Sequence, residues 1–169
     1  KDLEEKGHTI YISNVGPVSS NWDRAVELYY QIKGGQVDYG KGHSDVYGII
    51  RKPKNKKYKG FYPEWSKDNP IHLIGHSMGG QTARMLDYLL TTSISDTTGR
   101  KESSFFLGEE QNGLIKSITT ISTPHNGTTL STFISAGIPF LQDMIAVAAV
   151  VGNSFYSFDL EQWGFAINQ

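Results

Sequence analysis

The feature that most constrains this chain is five residues long: Gly75-His76-Ser77-Met78-Gly79, followed by Gly80. On one side lies Ile71-His72-Leu73-Ile74, a short apolar run after Asn69-Pro70 that reads as a strand. On the other, Ala83, Leu86, Leu89 and Leu90 fall on one side of a helix expected over about 80–90. G-x-S-x-G has meaning only in this strand–turn–helix setting. There the serine sits in a strained turn that lifts its hydroxyl above the sheet. Strand and helix backbones then approach so closely that glycine is needed on both sides. The next amide, at Met78, opens a helix and points where an oxyanion would form.

Elsewhere strands and helices alternate, the pattern of an α/β sheet. Residues 1–7 are charged and helix-like, and Thr9-Ile10-Tyr11-Ile12 reads as a β-branched and aromatic strand. Gly16-Pro17 signals a turn, and Ser20 or Asn21 is placed to cap the next helix. That helix carries Trp22, Ala25, Val26, Tyr29 and Ile32 as one buried stripe and stops at Gly34-Gly35. Residues 36–63 follow neither period and are expected to form an irregular insertion. Its basic cluster (Arg51, Lys52, Lys54, Lys56, Lys57, Lys59) reads as a solvated surface. Residues 91–111 are polar and loop-like, 115–121 alternate as a strand, and 138–151 read as an apolar helix.

Composition removes several classes of function. With 16 Lys and Arg against 17 Asp and Glu, the net charge of −1 offers no global basic field for nucleic acid. There is no Cys, hence no disulfide framework, thiolate cluster or cysteine nucleophile. The longest apolar run, 144–151, is far shorter than the ~20 residues of a membrane-spanning helix. The chain opens at Lys1 without Met, as expected of a processed or excised chain.

A serine nucleophile needs a base and an orienting acid, in the order Ser, Asp or Glu, His. After Ser77 the only histidine is His125, which directly follows the 115–121 strand and reads as part of a tight Thr123-Pro124-His125-Asn126-Gly127 turn. Of Asp87, Asp96, Asp143 and Asp159, Asp87 lies within the helix after Ser77, and Asp96 with His125 is possible in order, but a triad His normally has further strands before it. His76 abuts Ser77 and is expected to point away from its hydroxyl. A His-Gly pair, the frequent mark of the other oxyanion donor, does not occur. The expectation is a central fragment that carries the nucleophile without the rest of its machine.

Five ordered blocks carry a family resemblance. They are Gly16-Pro17-Val18-Ser19-Ser20-Asn21-Trp22-Asp23-Arg24-Ala25, Gly34-Gly35-Gln36-Val37-Asp38-Tyr39-Gly40 with His43, and Gly75-His76-Ser77-Met78-Gly79-Gly80-Gln81-Thr82. Thr119-Thr120-Ile121-Ser122-Thr123-Pro124-His125-Asn126-Gly127-Thr128-Thr129-Leu130 and Phe158-Asp159-Leu160-Glu161-Gln162-Trp163-Gly164 complete the set. Together the chain resembles the secreted triacylglycerol lipases of staphylococci and thermophilic bacilli. The resemblance implies an α/β-hydrolase fold truncated at both ends, with an insertion at about 36–63 and a lid-like segment at about 135–155. It implies a secreted enzyme acting on triacylglycerol at an oil–water interface, with Ser77 as nucleophile and the Met78 amide as an oxyanion donor. The triad Asp and His and a calcium site would lie beyond Gln169, and the first oxyanion donor before Lys1.

The same family holds a structural zinc, whose ligand positions match Asp23 and His43. The third falls on Ile49 and the fourth beyond the chain's end, so the set is visibly altered. Two other readings share these residues: a phospholipase or acyltransferase on the same fold, and a catalytically inactive lipid- or surface-binding relative.

Overall fold

The computed structural model describes residues 2–17, 19–104 and 106–127. By internal packing the chain divides into two units, Lys1–Thr123 and Pro124–Gln169. The expected helix at 138–151 and the lid-like segment lie outside the described residues.

In the first unit the order is α1 (Asp2–Glu5), α2 (Asn21–Lys33), β1 (Gly35–Gln36), α3 (Lys41–Tyr47), β2 (Lys57–Tyr58), β3 (Ile71–His76), α4 (Met78–Thr91) and β4 (Ile115–Ile121). Strands β3 and β4 pair in parallel, Ile74 opposite Thr119 and His76 opposite Ile121. A parallel pair needs a long crossover, and α4 supplies it. Gly75 is buried and Ile71 and Leu73 half-buried along β3, while His72, Ile74 and His76 are exposed. The alternation follows from the two-residue period of a strand with one covered face.

Helix α2 shows why the apolar stripe was only part of its pattern. Ala25, Val26, Tyr29 and Ile32 are buried as expected, in a core with Leu86, Leu89 and Leu90 of α4. Glu27 and Gln31 are buried as well, because the helix is covered on a second side by loops. Each is satisfied, as buried polar groups must be. Glu27 accepts from the Gly16 amide at 3.0 Å, the Tyr39 hydroxyl at 2.7 Å and Lys56 Nζ at 2.5 Å. Gln31 accepts from the Asn14 amide at 2.9 Å and donates to the Asn14 carbonyl.

Those bonds bear on one difference from the sequence reading. Thr9, Ile10, Tyr11 and Ile12 form no strand: no neighbour pairs with them among the described residues, and Ile12 is 85% exposed. Within the segment Tyr11 stacks on Phe61 at 5.6 Å, and the chain just after it is held at Asn14 and Gly16 by Gln31 and Glu27 of α2. A strand is a property of a pair, and propensity alone does not supply the second member.

Residues 36–63 are more ordered than expected. β1 and β2 pair antiparallel, α3 lies between them, and the returning chain caps α2. The amides of Phe61 and Tyr62 donate at 2.8 Å to the carbonyls of Gln31 and Ile32, two of the acceptors a helix end leaves open. The basic cluster is not merely solvated. Arg51 makes a bidentate pair with Asp38 (2.6 and 2.8 Å), Lys52 lies 3.3 Å from the same carboxylate, and Lys56 meets Glu27. Burial pushes the Asp38 carboxyl up, yet Arg51, the Gly40 amide and Lys52 together hold it below the usual carboxylate range. Buried Glu102 clamps α3 from the other side, accepting from the Lys41, Gly42 and Ser103 amides at 2.6–2.9 Å.

Candidate active site

Ser77 stands between β3 and α4 with φ 52° and ψ −124°. A serine rarely holds a positive φ, and such conformations gather at functional sites. The turn is locked from both sides. The Ser77 amide donates to the Ile121 carbonyl at 2.9 Å, and the Gly80 amide donates to the Ser77 carbonyl at 3.2 Å. A β-carbon on Gly75 would lie 2.6 Å from the Gly79 carbonyl oxygen, closer than real side chains come. A β-carbon on Gly80 would collide with Thr123 and lie 2.9 Å from Thr120 Cγ2. The glycines at 75 and 80 are thus required by approach, whereas a β-carbon on Gly79 would meet nothing within 4 Å, so the close approach expected on the helix side falls on Gly80 and not on Gly79.

Although Ser77 precedes a 14-residue helix, its side chain makes no capping hydrogen bond. The hydroxyl is not spent on the helix, and Ser77 is half-buried rather than sealed. Met78 follows as the first residue of α4, 45% exposed, its amide among those a helix start leaves unpaired. The Ser77 hydroxyl and the Met78 amide are therefore adjacent at the carboxyl edge of a parallel pair, where ligands bind in α/β sheets.

The other candidates fall as follows. His76 is exposed at the last position of β3, the sequence neighbour of Ser77. Asp87 lies within α4. Asp96 spends its carboxylate on its own turn, accepting from the Thr98 hydroxyl (2.6 Å) and the Thr98 and Arg100 amides (2.8 and 3.0 Å). The Thr98 hydroxyl and those amides hold its carboxyl below the ordinary range. His125 belongs to the second unit, exposed in a turn closed by the Gly127 amide on the Pro124 carbonyl at 3.0 Å.

Asp23 and His43, twenty residues apart, are brought together. Asp23 Oδ1 and His43 Nε2 lie 2.9 Å apart, each largely buried. Trp22 stacks on the His43 ring at 4.8 Å and 9°, and Tyr47 lies 4.7 Å away on a tilt. A cavity of about 420 Å³ adjoins them, lined also by Ser20, Asn21 and Met85. Ile49 is packed against the core and carries no ligand atom. No group of three or more His, Cys, Asp or Glu suited to a metal occurs among the described residues. The two carboxylate and imidazole groups bind each other, and by themselves they do not make a four-ligand zinc site.

Sequence reasoning missed the buried clamps of Glu27, Glu102 and Asp38. Each has a partner between 11 and 61 residues away, and no spacing rule announces it.

Comparison with known proteins bears on this geometry. The family profile described as "Lipase-like, C-terminal domain" matches residues 1–169. Lipase 1 of Staphylococcus aureus is 42% identical over 172 residues, covering 97% of this chain and 25% of that protein. The crystal structure of Staphylococcus hyicus lipase matches with a TM-score of 0.78 at 37% identity, over 98% of this chain and 44% of that one. EstA from Clostridium botulinum matches with a TM-score of 0.76 at 42% identity, over 96% and 39%. The chain spans about a quarter of the length of the curated relatives it matches.

Proposed function

The chain belongs to the lipase-like C-terminal domain family, and from that premise we propose that it carries the nucleophilic centre of a serine triacylglycerol lipase of α/β-hydrolase fold. The observation that carries this reading is Ser77 itself: a left-handed serine at a β3–α4 turn whose hydroxyl the helix leaves unclaimed. Ser77 Oγ attacks the ester carbonyl carbon as its proton passes to a base. The Met78 amide donates to the tetrahedral oxyanion. Collapse breaks the C–O bond, the departing glycerol oxygen takes the proton, and the acyl group remains on Ser77. Water then attacks this acyl-enzyme by the reverse of the same steps and releases the fatty acid.

The base, its acid and the second oxyanion donor are assigned to the part of the relatives' length that this chain does not span. Residues 36–63 are assigned as an insertion that braces α2, and 135–155, outside the described residues, keep the lid-like assignment that the family resemblance implies. None of the chemical steps requires a metal. A zinc or calcium ion in the longer protein is a matter of structure in this reading, and Asp23 and His43 would be two of the zinc ligands. Secretion is proposed on the likeness to the staphylococcal lipases. No helix among the described residues is long and apolar enough to cross a membrane.

The test is covalent. An alkyl fluorophosphonate on the longer protein should label Ser77, as read by peptide mass spectrometry, and should stop hydrolysis of emulsified triacylglycerol in proportion. Hydrolysis that persists with Ser77 fully labelled would refute the assignment. Lipid binding without any labelling or turnover would favour the inactive, surface-binding relative. Preference for a phosphoglyceride, or acyl transfer in place of hydrolysis, would keep Ser77 and change the substrate class.

A further inference from the structure

Among the described residues, two that are not glycine have positive φ: Ser77 at 52° and Ser122 at 49°. They are not scattered. Each follows the last residue of a strand, and the strands are partners: β3 ends at His76 and β4 at Ile121, which face each other in register. One hydrogen bond joins the two corners, because the Ser77 amide donates to the carbonyl of Ile121, the residue before Ser122. It is the last rung of the ladder, made by a residue that has already left extended geometry.

Past Ser122 the chain runs beneath the start of α4. Thr123 closes on Gly80 so tightly that a β-carbon there would strike it, and Thr123 Oγ1 is buried without a hydrogen-bond partner. A strained residue and an unsatisfied hydroxyl, side by side, both cost stability. Both adjoin the turn that carries the nucleophile.

We propose that Ser122 is a positioning residue, whose left-handed backbone aims the Ile121 carbonyl at the Ser77 amide and so fixes the nucleophile's turn from the neighbouring strand. The proposal rests on the assignment of Ser77 as nucleophile. Two amides meet at the β3–α4 turn, those of Ser77 and Met78. Engaging the first in the ladder leaves the second facing the developing oxyanion. If the corner at Ser122 relaxed to extended backbone, the Ile121 carbonyl would turn away and the Ser77 amide would lose its partner. Both the hydroxyl and the Met78 amide would then drift from the reacting carbon. The requirement is one of backbone conformation, and the Ser122 side chain takes no part in the chemistry.

The conformational tolerance of the side chain at 122 therefore sets the rate. Glycine and asparagine accept a left-handed φ, alanine does so less well, and valine resists it. In the full-length protein, Ser122→Gly and Ser122→Asn should keep kcat at or above the wild-type value. Ser122→Ala should lose about threefold, and Ser122→Val tenfold or more, as small misplacements at a reacting centre do. KM should stay within about threefold throughout, because the loss lies in the transition state. The fluorophosphonate labelling rate, measured on protein shown to be folded by circular dichroism, should fall in the same order. Equal rates for the Gly and Ala variants, or a Gly variant as slow as Val, would overturn the proposal. The Ala variant keeps that comparison available if Val does not fold. Ser77→Ala is the control for the underlying assignment: if it still hydrolyses ester, the nucleophile is wrong. If it is inactive while the position-122 series is flat, only the role of Ser122 falls.

Discussion

Ser20 and Ser77 occupy the same place in the chain's grammar, one residue before a helix of 13 and of 14 residues. Ser20 has φ −58° and ψ 158°, and its Oγ accepts from the Asp23 amide at 3.1 Å, the ordinary conduct of an N-cap. Ser77 has φ 52° and ψ −124° and gives its helix nothing. The first helix start is relaxed and satisfied. The second is strained, and its hydroxyl caps nothing. What separates them is the neighbourhood. Ser20 follows a loop with room to choose its angles. Ser77 is pinned between Gly75, Gly80 and the Ile121 carbonyl, which together dictate them. A helix start keeps its serine hydroxyl unspent when its surroundings forbid the usual cap.

The largest effect that sharpens this contrast is removal of the second hydroxyl. Ser77→Ala should lower kcat of the longer protein by about 10⁴ or more, with folding intact, since the hydroxyl supports no hydrogen bond of α4. A large loss of unfolding free energy in that variant would mean that Ser77 is a structural cap after all.

Next comes the packing that enforces the strain. Gly75→Ala introduces a β-carbon against the Gly79 carbonyl in a close-packed turn. It should cost about 3 kcal/mol or more, at the upper end for overpacking because backbone and not side chain must move. Urea titration reads this directly. A variant as stable as wild type would show that the close approach is not what holds Ser77.

How much of this could be read from the residues depends on distance along the chain. The turn at Ser77 was legible because every residue that makes it, from Ile71 to Leu90, is local. The Ser20 cap and the stripe of α2 were legible for the same reason. The strand expected at Thr9, Ile10, Tyr11 and Ile12 failed because a strand needs a partner that its own residues cannot name. The insertion looked irregular because α3 is short and glycine-flanked, and is held by Glu102, some sixty residues away. Asp23 and His43 were paired through the family resemblance. The rings of Trp22 and Tyr47 around them were not anticipated. Ser122 gave no signal, since nothing in the type of a serine announces a left-handed φ.

A third contrast lies between these helix starts and the charged brace of the insertion. Arg51 and its neighbours depress the Asp38 carboxyl below its value in an unfolded chain. The stabilisation is therefore present above about pH 4, the ordinary carboxylate range, and is lost as pH falls through the lower folded value. Arg51→Met should remove much of that acid dependence and cost about 2 kcal/mol at neutral pH, discounted for the partial exposure of the arginine. Activity at neutral pH should hold in any variant that stays folded, because the Arg51–Asp38 pair lies within the insertion and not on the β3–α4 turn. An unchanged acid limb of the stability curve would relocate the sensitivity to another carboxylate.

The smallest effect tests the relaxed side of the comparison. Ser20→Ala removes the acceptor of the Asp23 amide, and caps of this kind are worth about 1 kcal/mol, so urea unfolding should register a loss of that order. Ser20→Asp should restore it, since a carboxylate accepts the same amide and favours a helix start. Neither change should alter kcat. Residues Trp22 and Asp23 sit in the first turn of α2 and hold His43, which gives the experiment a second reading. If the cap sets the position of that turn, the Ala variant should also loosen the Asp23–His43 contact and speed hydrogen exchange along α3, whose own start Glu102 clamps independently. Faster exchange in α2 alone would confine the role of Ser20 to its helix. A fall in kcat comparable to that of the position-122 series would erase the distinction, because it would mean that an ordinary cap is coupled to the nucleophile as closely as the strained one.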